Sequence, residues 1–135
     1  LLAWLPDSMP VFAPHAESYA RFVPGGNAPV TVSWGANNRT VAVRLPDKPS
    51  DDKHVEHRAA GADADPLLVM AVLLAAIHGG LSRKLAPGAQ IYGDAGLPMY
   101  GLPPLSRTLK EAQEKMRQSK LVEKYFPIEA LLPSI

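Results

Sequence analysis

The stretch "HVEHR" (54–58) sets four ionisable side chains in five positions. Read as a strand, it sends alternate side chains to opposite faces, so His54, Glu56 and Arg58 share one face while Val55 and His57 take the other. A carboxylate between a histidine and an arginine fits either a solvated sheet edge or a site that handles a charged substrate. Two more arginines, Arg39 and Arg44, stand upstream in "NRTVAVR". One hard carboxylate among several guanidiniums suits a divalent cation beside a phosphate, with oxygen for the metal and arginine forks for phosphate or carboxylate. A zinc site fails on geometry, because His54 and His57 face opposite ways. Neither GxxxxGK[ST] nor GxGxxG occurs. Composition leaves a Ser/His/Asp hydrolase open, but no G-x-S-x-G marks its nucleophile.

These side chains need elements to position them. From Val30 the apolar residues recur at period two: Val30, Val32 and Trp34, then Val41, Val43 and Leu45 after the turn-like "GANN" (35–38). The pattern predicts a hairpin with a four-residue loop, followed by a polar connection (45–53) and a third strand at 54–58. One face of that sheet packs on the core. The other collects Thr31, Ser33, Arg44, His54, Glu56 and Arg58. Arg39 lies five residues before Arg44, on the opposite parity, so it reaches the same site only from the turn or across a bulge.

"GADADP" (61–66) opens a helix, with Asp65 as N-cap and Pro66 at the first helical position, where its missing N–H costs nothing. Residues 66–85 make a helix roughly 30 Å long at about 1.5 Å per residue. Its N-terminal half is apolar on every side, which predicts burial in a larger body. Gly79 and Gly80 loosen it, and His78 reads as a packed or capping residue. Residues 1–29 are rich in proline and small residues, with "FVPGGNAP" as the strongest loop signal. Residues 86–106 read as irregular and exposed. Thr108 or Ser106 caps a helix running to about Gln118, and Ser119 caps a short one to Tyr125. The predicted fold is α+β: an antiparallel sheet packed on a long buried helix.

At 135 residues the chain fits one domain with a real core. A net charge of +1 gives no general electrostatic case for nucleic acid or an anionic membrane. The absence of cysteine excludes disulfides and thiol chemistry. The longest apolar run, Leu67 to Ile77, is too short to span a bilayer. The opening "LLAWLPDSMP" lacks both an initiator methionine and a basic leader, so the chain is expected to be part of something longer.

Two long stretches, "SYARFVPGGNAPVTVSWGANNRTVAVRLP" (18–46) and "HVEHRAAGADADPLLVMAVLLAAIHGGLSRKLAPG" (54–88), closely resemble the C-terminal catalytic region of the glutamine synthetase family. The resemblance covers about residues 11–105 in order, and only the helical character of the rest agrees. It implies that residues 1–135 are the C-terminal part of that catalytic domain, without the family's small N-terminal β-grasp domain and upstream metal ligands. The implied chemistry is ATP-dependent ligation: glutamate is phosphorylated at its γ-carboxylate and an amine displaces the phosphate, with Mg²⁺ or Mn²⁺ on the phosphates. By motif position, Arg21 of "RFVPG" and Arg58 resemble glutamate-binding arginines. Arg39 and Arg44 resemble the phosphate arginines, with Arg39 as the catalytic one beside the transferring phosphoryl. Glu56 resembles a metal ligand. His54 stands where the family usually has an arginine near the nucleotide.

Asn27 stands where ammonia-using members carry a flap glutamate, and asparagine accepts neither the ammonium charge nor its proton. With "GADADP", this favours the branch that ligates larger amines or polyamines. Glutamine synthetase using ammonia is the alternative, and a non-catalytic relative is a third reading, supported only by His54. The resemblance further implies a cytoplasmic enzyme in stacked rings, a dodecamer, with no nucleic-acid or membrane partner. Tyr100 in "MYGLPP" falls near a tyrosine that some relatives adenylylate; a plain loop aromatic is the preferred reading.

Overall fold

The computed structural model describes residues 1–132. Five helices and three very short strands follow one another: α1 (Leu5–Phe12), β1 (Trp34–Ala36), β2 (Val43–Leu45), β3 (Glu56–His57), α2 (Pro66–Ser82), α3 (Leu109–Arg117), α4 (Lys120–Glu123) and α5 (Ile128–Leu131). Short 3₁₀ segments stand at Ala16–Arg21, Ser50–Asp52 and Pro98–Tyr100. The α+β class holds.

The amino-terminal region corrects the loop expectation. Pro6 lies in the first turn of α1, where its missing N–H has no helical partner to lose, and a second proline, Pro10, lies inside the helix. Leu5, Met9 and Phe12 of α1 are buried at the centre of the main core, with Phe22, Leu105, Met116 and Val122. Helices α1 and α3 pack on each other, and Ser119 Oγ donates to Asp7 Oδ2 at 2.6 Å. Thr108 and Ser119 cap α3 and α4 as expected, accepting from Glu111 N and Val122 N at 3.2 Å each. Each such cap is worth about 1 kcal/mol.

The sheet is mixed, not antiparallel throughout. Its order is β1-β2-β3; β1 and β2 run parallel with Trp34 opposite Val43, and only β2–β3 is antiparallel. The expected hairpin fails because Val30–Val32 has another partner. Leu105 N donates to Val30 O and Val32 N to Pro103 O, both at 2.9 Å, so part of the supposedly irregular 86–106 segment takes the hairpin's place. Parallel strands usually need a connection of about a dozen residues. Here residues 37–42 suffice because each strand is three residues long. Asn37 turns the chain with φ 50°, and Asn38 Nδ2 pins the loop to the carbonyls of Ile91 (3.0 Å) and Gly93 (2.8 Å). Gly35 must be glycine, since a Cβ there would lie 2.6 Å from Ile91 O.

The long helix begins as expected: Asp65 Oδ1 accepts from Leu67 N (2.8 Å) and Leu68 N (3.3 Å). It ends at Ser82, and Lys84 then takes a left-handed φ of 51°. Its main packing partner is α1, not the sheet, and only Val72, Ala75, Ala76 and Gly79 are buried. Within these residues the helix is therefore not buried on every side. His78 packs by its Nδ1, 2.9 Å from Tyr125 OH. No helix among the described residues is long and apolar enough to cross a membrane.

Candidate functional site

The antiparallel β2–β3 register places Arg44 directly opposite Glu56 and Val43 opposite His57. Directly opposed residues share a face. Period two therefore sorts the charged pair to one side and the buried Val43 and half-buried His57 to the other, as the sequence predicts. His57 packs its ring 4.5 Å from that of Phe12 in α1. Burial pushes the His57 pKa down to about 4, so the ring is neutral at pH 7.

On the open face, Arg44 Nη1 donates to both Glu56 oxygens, at 3.0 and 2.9 Å. His54 Nε2 lies 3.6 Å from Glu56 Oε1, while its Nδ1 donates to Asp52 O at 2.8 Å. The Arg44 hydrogen bond holds the Glu56 carboxyl below its ordinary pKa, and His54 adds to the effect. Arg58, one step along the same face, spends its guanidinium on backbone. It donates to Arg39 O, to Val41 O at 3.3 Å and to Asn27 O at 3.2 Å. Burial chiefly lowers the Arg58 pKa; Glu56 opposes this, and Arg44 and Arg39 reinforce it, so the four groups form one electrostatic cluster. The Arg39 side chain is exposed and has no ion pair among the described residues.

Arg39, Arg44, His54, Glu56 and Arg58 are thus brought together, with Asn27 joined through its carbonyl. Arg39 reaches the cluster from the 37–42 turn, the route that parity requires. The Asn27 side chain is exposed. Arg21 is turned elsewhere: it donates to Ala59 O and, at 3.5 Å, to Phe12 O, and lies 4.3 Å over the Phe22 ring. Burial lowers its pKa, while Asp63 opposes that shift. Sequence reading passed over Asp63, which accepts a hydrogen bond from Ser18 Oγ; "GADADP" signalled only a helix start. Tyr100 lies apart from the cluster, lining a cavity of about 480 Å³ with Trp34 and Met99.

Glu56 is one oxygen ligand that fits a hard divalent cation. No group of three or more metal-ligating side chains occurs among the described residues, so Glu56 alone does not make a complete site.

Comparison with known proteins identifies the family. The family model for the glutamine synthetase catalytic domain matches residues 1–131. γ-Glutamylputrescine synthetase PuuA of Escherichia coli K12 is 48% identical over 99 residues, 73% of this chain and 21% of that protein. Glutamine synthetase of Thermococcus kodakarensis is 32% identical over 115 residues, covering 81% of this chain and 26% of that protein. A solved structure, the GmaS/ADP complex, superposes with a TM-score of 0.81 at 26% identity, covering 97% of this chain and 32% of that one. The chain thus spans 21% and 26% of the length of the two curated relatives.

Proposed function

This chain belongs to the glutamine synthetase catalytic-domain family, and from that premise we propose that it is the C-terminal part of an enzyme that ligates an amine to the γ-carboxylate of glutamate. A γ-carboxylate oxygen attacks the terminal phosphorus of ATP and ADP leaves. The amine nitrogen then attacks the acyl carbon, phosphate leaves, and the nitrogen gives up a proton. Arg39 and Arg44 supply positive charge where the phosphoryl group passes. Phosphoryl transfer depends on positioned charge more than on covalent help. Glu56 would be one ligand of a Mg²⁺ or Mn²⁺ ion, which would supply charge neutralisation on the phosphates. His54 faces the nucleotide. Arg58 and Arg21 take the glutamate carboxylate, exchanging the backbone carbonyls they hold for it. The observation that carries this reading is the cross-strand Arg44–Glu56 pair with Arg58 and Arg39 on one open edge.

The rest of the site comes from elsewhere in the parent and from neighbouring subunits of a stacked-ring cytoplasmic assembly, a dodecamer. The 135 residues alone are therefore expected to show no ligase activity. The identity of 48% to a putrescine ligase, against 32% and 36% to two glutamine synthetases, supports an aliphatic amine as the nucleophile rather than ammonia. Asn27 agrees, since an ammonium pocket needs a negative group. Losing such a partner costs roughly 2–5 kcal/mol, about 30-fold to several thousand-fold in affinity.

The test is kcat/KM for ammonium and for putrescine, in the full-length parent and its Asn27→Glu variant. The parent is expected to prefer putrescine, and the variant to shift the ratio toward ammonium. A parent that prefers ammonium is a glutamine synthetase, and the amine reading falls.

A further inference from the structure

A single Arg44 nitrogen, Nη1, reaches both oxygens of Glu56. The remaining Arg44 donors are poorly used: Nη2 has only a 3.4 Å contact with Asn37 Oδ1, and Nε is buried without a partner. Arg44 is the more enclosed member of the pair, at 15% side-chain exposure against 35% for Glu56. Nη1 occupies one lone pair on each Glu56 oxygen, and a Mg²⁺ ion would bind one of the same two oxygens at about 2.0–2.1 Å. A guanidinium that close also repels the cation. Arg44 and a cation therefore compete for Glu56. An anion presents the opposite case: a tetrahedral oxyanion accepts bidentate hydrogen bonds from the guanidinium fork, including the donors that Glu56 leaves unused.

We propose that Arg44 is an exchangeable counter-ion of Glu56, which holds the carboxylate until a phosphate-type oxyanion draws the guanidinium away. Cation and oxyanion binding at this edge are then positively coupled through one side chain. The proposal rests on the reading of Glu56 as a cation ligand. Coupling of this kind typically amounts to about 5- to 150-fold in affinity and is reciprocal. The expectation differs from that for an arginine that merely orients its carboxylate: removing such an arginine weakens cation binding, whereas removing a competitor strengthens it.

The experiment titrates Mn²⁺ into the full-length parent and follows the electron paramagnetic resonance signal of free Mn²⁺. Sulfate serves as the oxyanion probe, with chloride replaced to keep ionic strength constant. Sulfate is expected to tighten Mn²⁺ binding by about fivefold or more in the parent. Arg44→Gln is expected to bind Mn²⁺ tighter by a similar factor without sulfate, and to gain nothing from it. Arg44→Lys, which keeps the charge but not the fork, is expected to fall between the two. Weaker or unchanged Mn²⁺ binding in Arg44→Gln overturns the proposal, as does a sulfate effect that survives in that variant. Glu56→Gln separates the two levels. If it leaves Mn²⁺ binding intact, the assignment of Glu56 fails and the coupling with it. If it weakens Mn²⁺ while Arg44→Gln does not strengthen it, only the coupling fails.

Discussion

The β2–β3 edge and the outward side of α2 are both dense in one kind of side chain, but they are satisfied to different degrees. At the edge, Arg44 answers Glu56, the His54 ring lies beside that carboxylate, and Arg58 is tied to three carbonyls. On α2, Leu67, Met70, Leu74, Ile77 and Leu81 recur at alternating steps of three and four, and all are 42–80% exposed. Such a stripe is a helix face suited to packing. Charged groups close accounts locally through hydrogen bonds. Apolar groups need area, and on the proposed reading that area belongs to the rest of the parent.

The contrast breaks most visibly at Glu56. In the full-length parent, Glu56→Ala is expected to lower kcat by about 10²–10³-fold or more, with added Mn²⁺ restoring little. Near-normal turnover would remove Glu56 from the site. Beneath the same strand, Phe12→Ala is expected to cost about 3–5 kcal/mol in urea denaturation, because Phe12 is buried against His57. A loss under 1 kcal/mol would mean that α1 does not support the edge.

His57 gives the third test. Its pKa falls from 6.5 to about 4 on folding, so between those values the unfolded chain binds the extra proton. Stability is then unaffected by this group above pH 6.5 and declines by roughly 3 kcal/mol as pH falls to 4. His57→Gln should flatten that part of the pH–stability curve; an unchanged slope would assign it to other groups. The smallest effect belongs to α2: Leu74→Gln is expected to change the stability of the 135-residue chain by no more than about 0.5 kcal/mol. In the parent the same change should cost far more, and equal small effects in both would show that nothing covers the stripe.

What the sequence revealed depended on how local the cause was. Arg44 and Glu56 share a face through the two-residue period alone, and Asp65 and Pro66 start α2 through their own chemistry. The parallel β1–β2 pairing was not legible, because it depends on residues 103–105 taking the edge of Val30–Val32 from far along the chain. Helix α1 was hidden by two prolines, one of which sits where a helix tolerates it. The roles of Arg21 and Arg58 as braces on Ala59, Arg39 and Asn27 carbonyls were invisible too, since no motif records which loop a guanidinium will meet.

The bond from Ser119 to Asp7 joins positions 112 residues apart, within a core where α1 meets α3. A core that joins both ends of the chain has to close a very large loop before those contacts are rewarded, and that closure costs entropy that grows with the logarithm of loop length. High sequence separation slows folding toward the millisecond-to-second range. Until residues 109–132 arrive, Leu5, Met9 and Phe12 have only part of their cover, from α2 and from His57. During refolding from denaturant this chain is therefore expected to be most prone to aggregate early, through its first dozen residues.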